Sequence, residues 1–275
     1  MRIVCLTENT EGRPGCGVEH GLCFYIETAH HRLLFDTGAS GLHIANAAEL
    51  GVDLSVVDTV IISHGHYDHG GGLPAFLNCN SIAEVYMQKS ALLEYYSLRS
   101  TTGEPRYIGL DRSLPGNERI TLLDGDFRID EELALFASAR DSWPSPGANR
   151  TLLKKTDEGL VRDDFVHEMY LAVFSEGVRV LFSGCAHRGI RNILGRYREL
   201  YGEDPDAVFS GFHMMKRNGY SEEDFKEISD TALSLQPMKT QFYTCHCTGE
   251  VPYQEMKKIM AGQLNYIHCG DEVSF

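Results

Sequence analysis

His64-Gly65-His66-Tyr67-Asp68-His69 gathers three imidazoles and a carboxylate into one short segment. These are donor types for a borderline divalent metal such as zinc. His64 and His66 are two residues apart, so in extended backbone they point the same way and can share one ion. Asp68 and His69 follow and can reach a second, neighbouring ion. Two metals about 3.5–4 Å apart would hold a water between them and lower its pKa to near 7, making hydroxide at neutral pH. Asp68 could instead orient that water as a general base. Four donors in one loop cannot close two sites, so partners must come from elsewhere. His246 is the strongest remaining candidate, standing after the β-rich run Gln241-Phe242-Tyr243-Thr244 and before Thr248-Gly249. Cys185 and His187 follow Val180-Leu181-Phe182-Ser183-Gly184, which reads as a strand running into a glycine turn. Cys185 is either a thiolate ligand or a buried inert thiol. His187 is a ligand or a residue that meets the substrate.

Such donors need rigid supports. Thr59-Val60-Ile61-Ile62 is short, apolar and β-branched, the pattern of a buried strand, and Gly70-Gly71-Gly72 lets the backbone fold tightly after the loop. Further strands are expected at 2–6, 22–27, 32–35 and 84–88, with helices at 44–50, stopped by Gly51, and at 91–96. In the second half a hairpin is expected from 169–174 and 178–182 around Glu176-Gly177. Helix at 190–201, strand at 207–209, helix at 221–235, strand at 241–244 and helix at 254–260 follow. Two comparable halves, each delivering histidines from strand ends, fit two facing sheets with helices outside. Between them, residues 99–162 repeat turn chemistry: Gly103-Glu104-Pro105, Leu114-Pro115-Gly116-Asn117 and Trp143-Pro144-Ser145-Pro146-Gly147. The expectation is one domain over 1–275, with 99–162 either a substrate-facing lid or a passive surface excursion.

Ser63-His64-Gly65-His66-Tyr67-Asp68-His69 resembles the signature of the metallo-β-lactamase superfamily. Leu33-Leu34-Phe35-Asp36-Thr37-Gly38 looks like its first motif, an aspartate closing a strand beneath the metals. Glu19-His20-Gly21-Leu22, Gly184-Cys185-Ala186-His187, Gly211-Phe212-His213 and His246-Cys247-Thr248-Gly249 resemble one subgroup, named for dihydropterin-ribofuranosylaminobenzene 5'-phosphate synthase. The resemblance implies a four-layer αββα sandwich of α/β class. It implies His64 and His66 at one metal, Asp68 and His69 at the other, and His246 as the last metal histidine. Asp36 would hydrogen-bond a ligand histidine or the loop backbone, and His20 and His213 would line the substrate pocket. Two departures stand out. Cys185 occupies the place of a metal-bridging aspartate, and the Gly-His-Thr turn that carries a middle histidine is missing. His167 and Glu168 are the nearby candidates to replace it; if neither does, one metal would be weakly held.

Cys245 and Cys247 flank His246, and strand alternation would turn both away from its face as packing thiols. Tyr95, Tyr96, Arg99, Arg106, Tyr107 and Trp143 could stack on a ring and bind phosphate.

The formal net charge of −14 argues against a nucleic-acid partner. No apolar stretch approaches the roughly 18 residues of a membrane span. With no export signal evident, the eight cysteines are expected as reduced thiols in a cytoplasmic protein. Composition at 43% hydrophobic and 23% charged is enough for a sizeable core. The function these features suggest is a metal-dependent hydrolase acting on an ester, lactone or phosphoester. It would carry one or two divalent ions, zinc first, with manganese or iron as alternatives. Its partner would be a small-molecule substrate, anionic or phosphorylated. Asp68 and His187 are the candidate catalytic residues. The subgroup name implies a second activity, C–N coupling of a dihydropterin to an aminobenzene ribose-phosphate. An iron redox enzyme and a non-catalytic metal-binding scaffold are the remaining classes.

Overall fold

The computed structural model describes residues 1–275. One seven-stranded sheet runs in the order Glu272–Ser274, Arg2–Thr7, Cys23–Glu27, Arg32–Phe35, Thr59–Ile61, Glu84–Gln88, Ile120–Leu123. The other runs Leu264–Tyr266, Gln241–Thr244, Ala207–Ser210, Val178–Ser183, Tyr170–Ser175, Leu133–Phe136, Phe127–Arg128. Their faces follow from alternation. Phe24, Ile26, Leu33, Phe35 and Ile61 of the first sheet meet Leu171, Val173, Val180, Phe182 and Phe209 of the second in one core between the sheets. The intervening residues point outward. Tyr25, Leu34 and Val60 pack under the first-half helices, with Ala47, Leu73 and Phe76. Leu181, Val208 and Phe242 pack under Ile190–Tyr201, Glu222–Leu235 and Glu250–Met260. The result is the expected αββα sandwich. No helix is long and apolar enough to cross a membrane.

Four strands of each sheet run parallel, Ile120–Leu123 completing the set in the first and Leu264–Tyr266 in the second, and three in each lead toward the site. Arg32–Phe35, Thr59–Ile61 and Glu84–Gln88 do so in the first, and Val178–Ser183, Ala207–Ser210 and Gln241–Thr244 in the second. The carboxyl ends of such strands are where open α/β sheets place their sites. Asp36, His64, Cys185, His213 and His246 all follow these ends within four residues.

Two regions differ from the sequence reading. Residues 91–96 are not a helix. A single 3-10 turn, Lys89–Leu92, leads into the strand Tyr95–Leu98, where adjacent tyrosines favour extended pairing and Tyr95 is buried with Ile108, Leu152 and Phe165. Residues 99–162 also divide. Ile120–Leu123, Phe127–Arg128 and Leu133–Phe136 extend the two main sheets, whereas Pro105–Tyr107, Leu152–Thr156 and Gly159–Arg162 join Tyr95–Leu98 in a separate four-stranded sheet.

At the opposite rim, His31 ties the turn before Arg32–Phe35 to both sheets. Its Nδ1 lies 2.9 Å from Asp58 and its Nε2 2.5 Å from Asp130. Burial opposes its charge, but the hydrogen bonds to Asp58 and Asp130 outweigh burial and raise its pKa above the usual value. A pKa higher in the folded than in the unfolded chain gives stability that is complete below the unfolded value, about 6.5, and is lost as pH rises through the folded value. Urea unfolding of the protein and of His31→Gln should show a stability gap that is widest in mild acid and closes as pH climbs past that window. A gap independent of pH would show that His31 folds neutral.

Candidate metal centre

Asp36 closes the strand Arg32–Phe35 in left-handed backbone (φ 62°) and is fully buried. Its carboxylate accepts from the Ser63 backbone N–H at 2.7 Å, from Ser63 Oγ at 2.8 Å and from His69 Nδ1 at 2.6 Å. Ser63 spends its one proton on Asp36, so its oxygen accepts from His64 Nδ1, 2.8 Å away. That leaves the lone pair of His64 Nε2 facing inward. The same logic fixes two more rings. Asn149 Nδ2 donates to the His187 carbonyl, so its Oδ1 accepts from His187 Nδ1 at 2.9 Å. Asn9 Nδ2 donates to the His246 carbonyl, and its Oδ1 accepts from His246 Nδ1 at 2.8 Å. Outer partners that fix tautomer and ring orientation are the usual support of metal-binding histidines.

The inward donors fall into overlapping groups. His64, Cys185 and His187 form one triad, and His69, Cys185 and His246 another, with donor atoms inside 4.8 Å of one another. Cys185 Sγ is 3.2 Å from His69 Nε2. Asp68 Oδ2 lies 3.4 Å from His246 Nε2 and 3.9 Å from His69 Nε2. The His66 ring is 4.5 Å from His64 and 4.9 Å from His187. His187 thus lies beside the His64–His66 pair.

His167 and Glu168 are both buried and both already hydrogen-bonded, and His167 also groups with His66 and Asp163, their donor atoms within 4.8 Å of one another. His167 accepts from the Gly65 N–H through Nδ1 and reaches Asp163 through Nε2 at 3.0 Å, so both ring nitrogens are engaged. Glu168 accepts from the His187 and Arg188 N–H groups and from Tyr170 Oη, clamping the turn that presents Cys185 and His187. Burial raises its pKa. His213 sits 4.1 Å from the His187 ring. His20 is the solvent-facing imidazole, 38% exposed, with Nε2 3.3 Å from Asp68 Oδ2.

Cys245 packs between the sheets as expected, but Cys247 does not turn away: it lies with Cys185 and His213. Alternation fails because His246–Thr248 is a 3-10 turn with His246 at φ 52°. Of the aromatic and basic residues, Tyr95 lies 5.8 Å from the His66 ring, and Arg106 stands 5.6 Å over the Tyr67 ring. Tyr95 is buried, Tyr96 and Tyr107 are engaged by Glu94 and the Leu110 carbonyl, Arg99 is exposed, and Trp143 stacks under Arg191. Asn9, Asn149 and Ser63 were not singled out from sequence. An isolated asparagine carries no spacing signal, and only the fold brings these two to histidines more than 30 residues away.

Burial and neighbouring imidazoles push His64 and His187 well below the usual range and His66 to about 3. Burial lowers His20 to about 4. Burial opposes ionisation of Asp68, yet His246, His69 and His20 hold its carboxyl well below normal. Burial drives the Cys185 thiol well up. The buried Nε2 atoms of His64, His66, His187 and His246 have no hydrogen-bond partner. Four such orphans in one cluster would be costly unless a cation meets them. Imidazole, thiolate and one carboxylate fit zinc best among common divalent ions.

The metallo-beta-lactamase superfamily description matches residues 16–215. A Methanocaldococcus jannaschii protein named 7,8-dihydropterin-6-methyl-4-(beta-D-ribofuranosyl)-aminobenzene-5'-phosphate synthase is 26% identical, covering 94% of this chain and 90% of its own. The crystal structure of Tm1679, described as a metal-dependent hydrolase of the beta-lactamase superfamily, superposes with a TM-score of 0.83 at 29% identity. It covers 100% of this chain and 99% of that one. Zinc-bound PqqB from Methylobacterium extorquens shares the fold, at TM-score 0.59 and 12% identity over the full length of both chains.

If Asn149 holds His187 as a ligand, Asn149→Ala should weaken metal binding about 10–100-fold. Chelator competition on the folded variant measures this. Unchanged affinity would remove His187 from the donor set.

Proposed function

Because this chain belongs to the metallo-beta-lactamase superfamily, we propose that it is a metal-dependent hydrolase with two divalent ions, zinc by donor chemistry, acting on an anionic ester, lactone or phosphoester. The observation that carries this reading is the placement of Cys185 in both donor triads. A single sulfur shared by these two triads could serve both ions. His64, His66 and His187 would hold one ion, and Asp68, His69 and His246 the other.

When bound, the ions supply Lewis acidity toward a carbonyl or phosphoryl oxygen and acidify a water. The chain's own residues do the rest. Asp68 Oδ2 faces His20 Nε2 as well as His246, which gives a proton route from the buried centre to the solvent-facing ring. His20, rather than the buried His187, is placed to meet the substrate and its leaving group. Phe165 stacks on His187 (4.6 Å, 6°) and Tyr95 lies against His167 at 4.0 Å, sealing the inner wall against water. Tyr95 also belongs to the small four-stranded sheet. That sheet, taken from both ends of the 95–162 stretch, is the substrate-facing part of the chain. Arg106 over Tyr67 sets a positive charge beside the metal loop, suited to a phosphate or carboxylate.

A second reading is favoured by the relative named as a synthase. In C–N coupling of a dihydropterin to an aminobenzene ribose-phosphate, the same donors would serve a pyrophosphate leaving group and Arg106 the ribose-phosphate.

Metal content of protein purified without added metal decides the centre, and parallel ester, lactone, phosphoester and pterin-coupling assays decide the reaction. Two ions per chain are expected, with His66→Ala and Cys185→Ala each losing at least one and turnover falling with them. A full metal complement in Cys185→Ala would remove the thiolate bridge. Pterin coupling with no ester, lactone or phosphoester turnover would replace hydrolysis by transfer. Predominant iron with oxygen consumption would replace both.

A further inference from the structure

The mechanism leaves a second thiol and an imidazole unused. Cys247 and His213 lie against Cys185 with all three donor atoms inside 4.8 Å of one another. Cys185 and Cys247 are both buried, and the buried His213 Nδ1 has no partner. We propose that Cys185, Cys247 and His213 form a further metal site, which takes a soft or borderline divalent ion and shares the Cys185 sulfur with the centre described above.

Three turns carry these donors, and backbone hydrogen bonds lock them to one another. The Gly211 N–H donates to the Gly184 carbonyl at 2.9 Å, and those of Met214 and Met215 donate to the Cys247 carbonyl at 3.0 and 2.9 Å. Phe212 N–H donates to Thr248 Oγ1 at 2.8 Å. Ala186, His213 and His246 all adopt left-handed backbone (φ 54°, 48° and 52°), a conformation that non-glycine residues keep only where the surroundings impose it. A Cβ at position 211 would sit 2.3 Å from Cys247 Sγ, so glycine there makes room for the sulfur. The frame is therefore preorganised around the donors rather than around packing.

Donor chemistry separates this set from the first. It has two sulfurs and one nitrogen and no carboxylate, which favours zinc, cadmium or cobalt over magnesium or calcium. A thiol that only filled space would not need an imidazole with a bare nitrogen beside it. In the metal-free arrangement the Cys247 thiol points at the Cys185 carbonyl, 3.5 Å away, a weak contact that an ion readily replaces. Because Cys185 is common to both sets, an ion here shares its sulfur with the first centre.

The inference takes the position of Cys185 from the proposed function, but its test is separable from that reading. Cobalt(II) is titrated alone into the reduced, metal-free full-length chain, and equivalents bound and the thiolate-to-cobalt charge-transfer band are read together. The expected result is a third equivalent in the wild type, accompanied by growth of the band. Cys247→Ser and His213→Gln should each lose that equivalent while the other two remain, and His66→Ala should lose one of the others while the third persists. If Cys247→Ser or His213→Gln binds as many ions as wild type with an undiminished band, the proposal falls. If only His66→Ala is without effect, the two-ion reading fails and this site stands. Two substitutions on different turns keep the test decisive when one of them fails to fold.

Discussion

The buried carboxylate of Asp36 is the constraint from which the rest of the centre follows. It is acceptor-only and cut off from water, so each lone-pair direction must meet a donor. Ser63 and His69 supply those donors, and through Ser63 the requirement passes to His64. Hydrogen bonds to an ionised group are the strong ones. Two of the proposed ligand histidines therefore take their orientation from one charge. Stripping a buried ion pair of one partner costs about 3–5 kcal/mol, because the other charge is left unpaired. The backbone repeats the clamp: Thr37 N–H donates to the His69 carbonyl at 2.6 Å, Leu22 N–H to Asp68 at 3.0 Å and Gly72 N–H to Gly38 at 3.1 Å. A Cβ on Gly72 would lie 2.1 Å from the Thr37 carbonyl oxygen, so the glycines after the metal loop permit contact between the two segments.

How far such an arrangement can be read from sequence depends on whether the signal is local. The metal loop, the strand feeding it and Asp36 were legible because their residues lie close together and carry period-two or turn patterns. The αββα layering was legible for the same reason: alternating apolar residues commit each strand to two buried faces. What could not be read depends on distance or on local backbone. Asn9 and Asn149 acquire roles only when the sheets bring their loops to His246 and His187. Cys247 escaped because period-two alternation assumes extended chain, and His246 in left-handed backbone ends it. The helix expected at 91–96 failed because a partner strand at Leu152–Thr156, distant in sequence, overrides local preference. His167 and Glu168 were read as possible donors, and the structure gives both a hydrogen-bonding role that the sequence did not show. Each already spends its polar atoms on the backbone or on a neighbouring side chain, an account that only coordinates supply.

Cysteine in place of a bridging aspartate alters the centre before any metal arrives. A carboxylate at position 185 would put a second acidic group in the desolvated space beside Asp68, where like charges repel and one of the two would be held protonated. The Cys185 thiol, driven up by burial, stays protonated and uncharged. The imidazoles of His64, His66 and His187, driven down, also stay neutral. Burial opposes charge on His69, but Asp36 and Asp68 push its pKa up to about 9, and Asp68 is flanked by His20 and His246 as well. Metal then displaces the thiol proton, and affinity must fall as pH falls. The thiolate also takes a longer bond than a carboxylate, about 2.3 Å against 2.0–2.2 Å to zinc. The turns around it are close-packed at two glycines: a Cβ on Gly184 would run into Ser63 Oγ at 2.3 Å, and one on Gly211 into Cys247 Sγ at 2.3 Å. Glycine at 184 and 211 thus lets the turns that carry Ser63, Cys185 and Cys247 close on one another, with the Gly211 N–H donating to the Gly184 carbonyl at 2.9 Å.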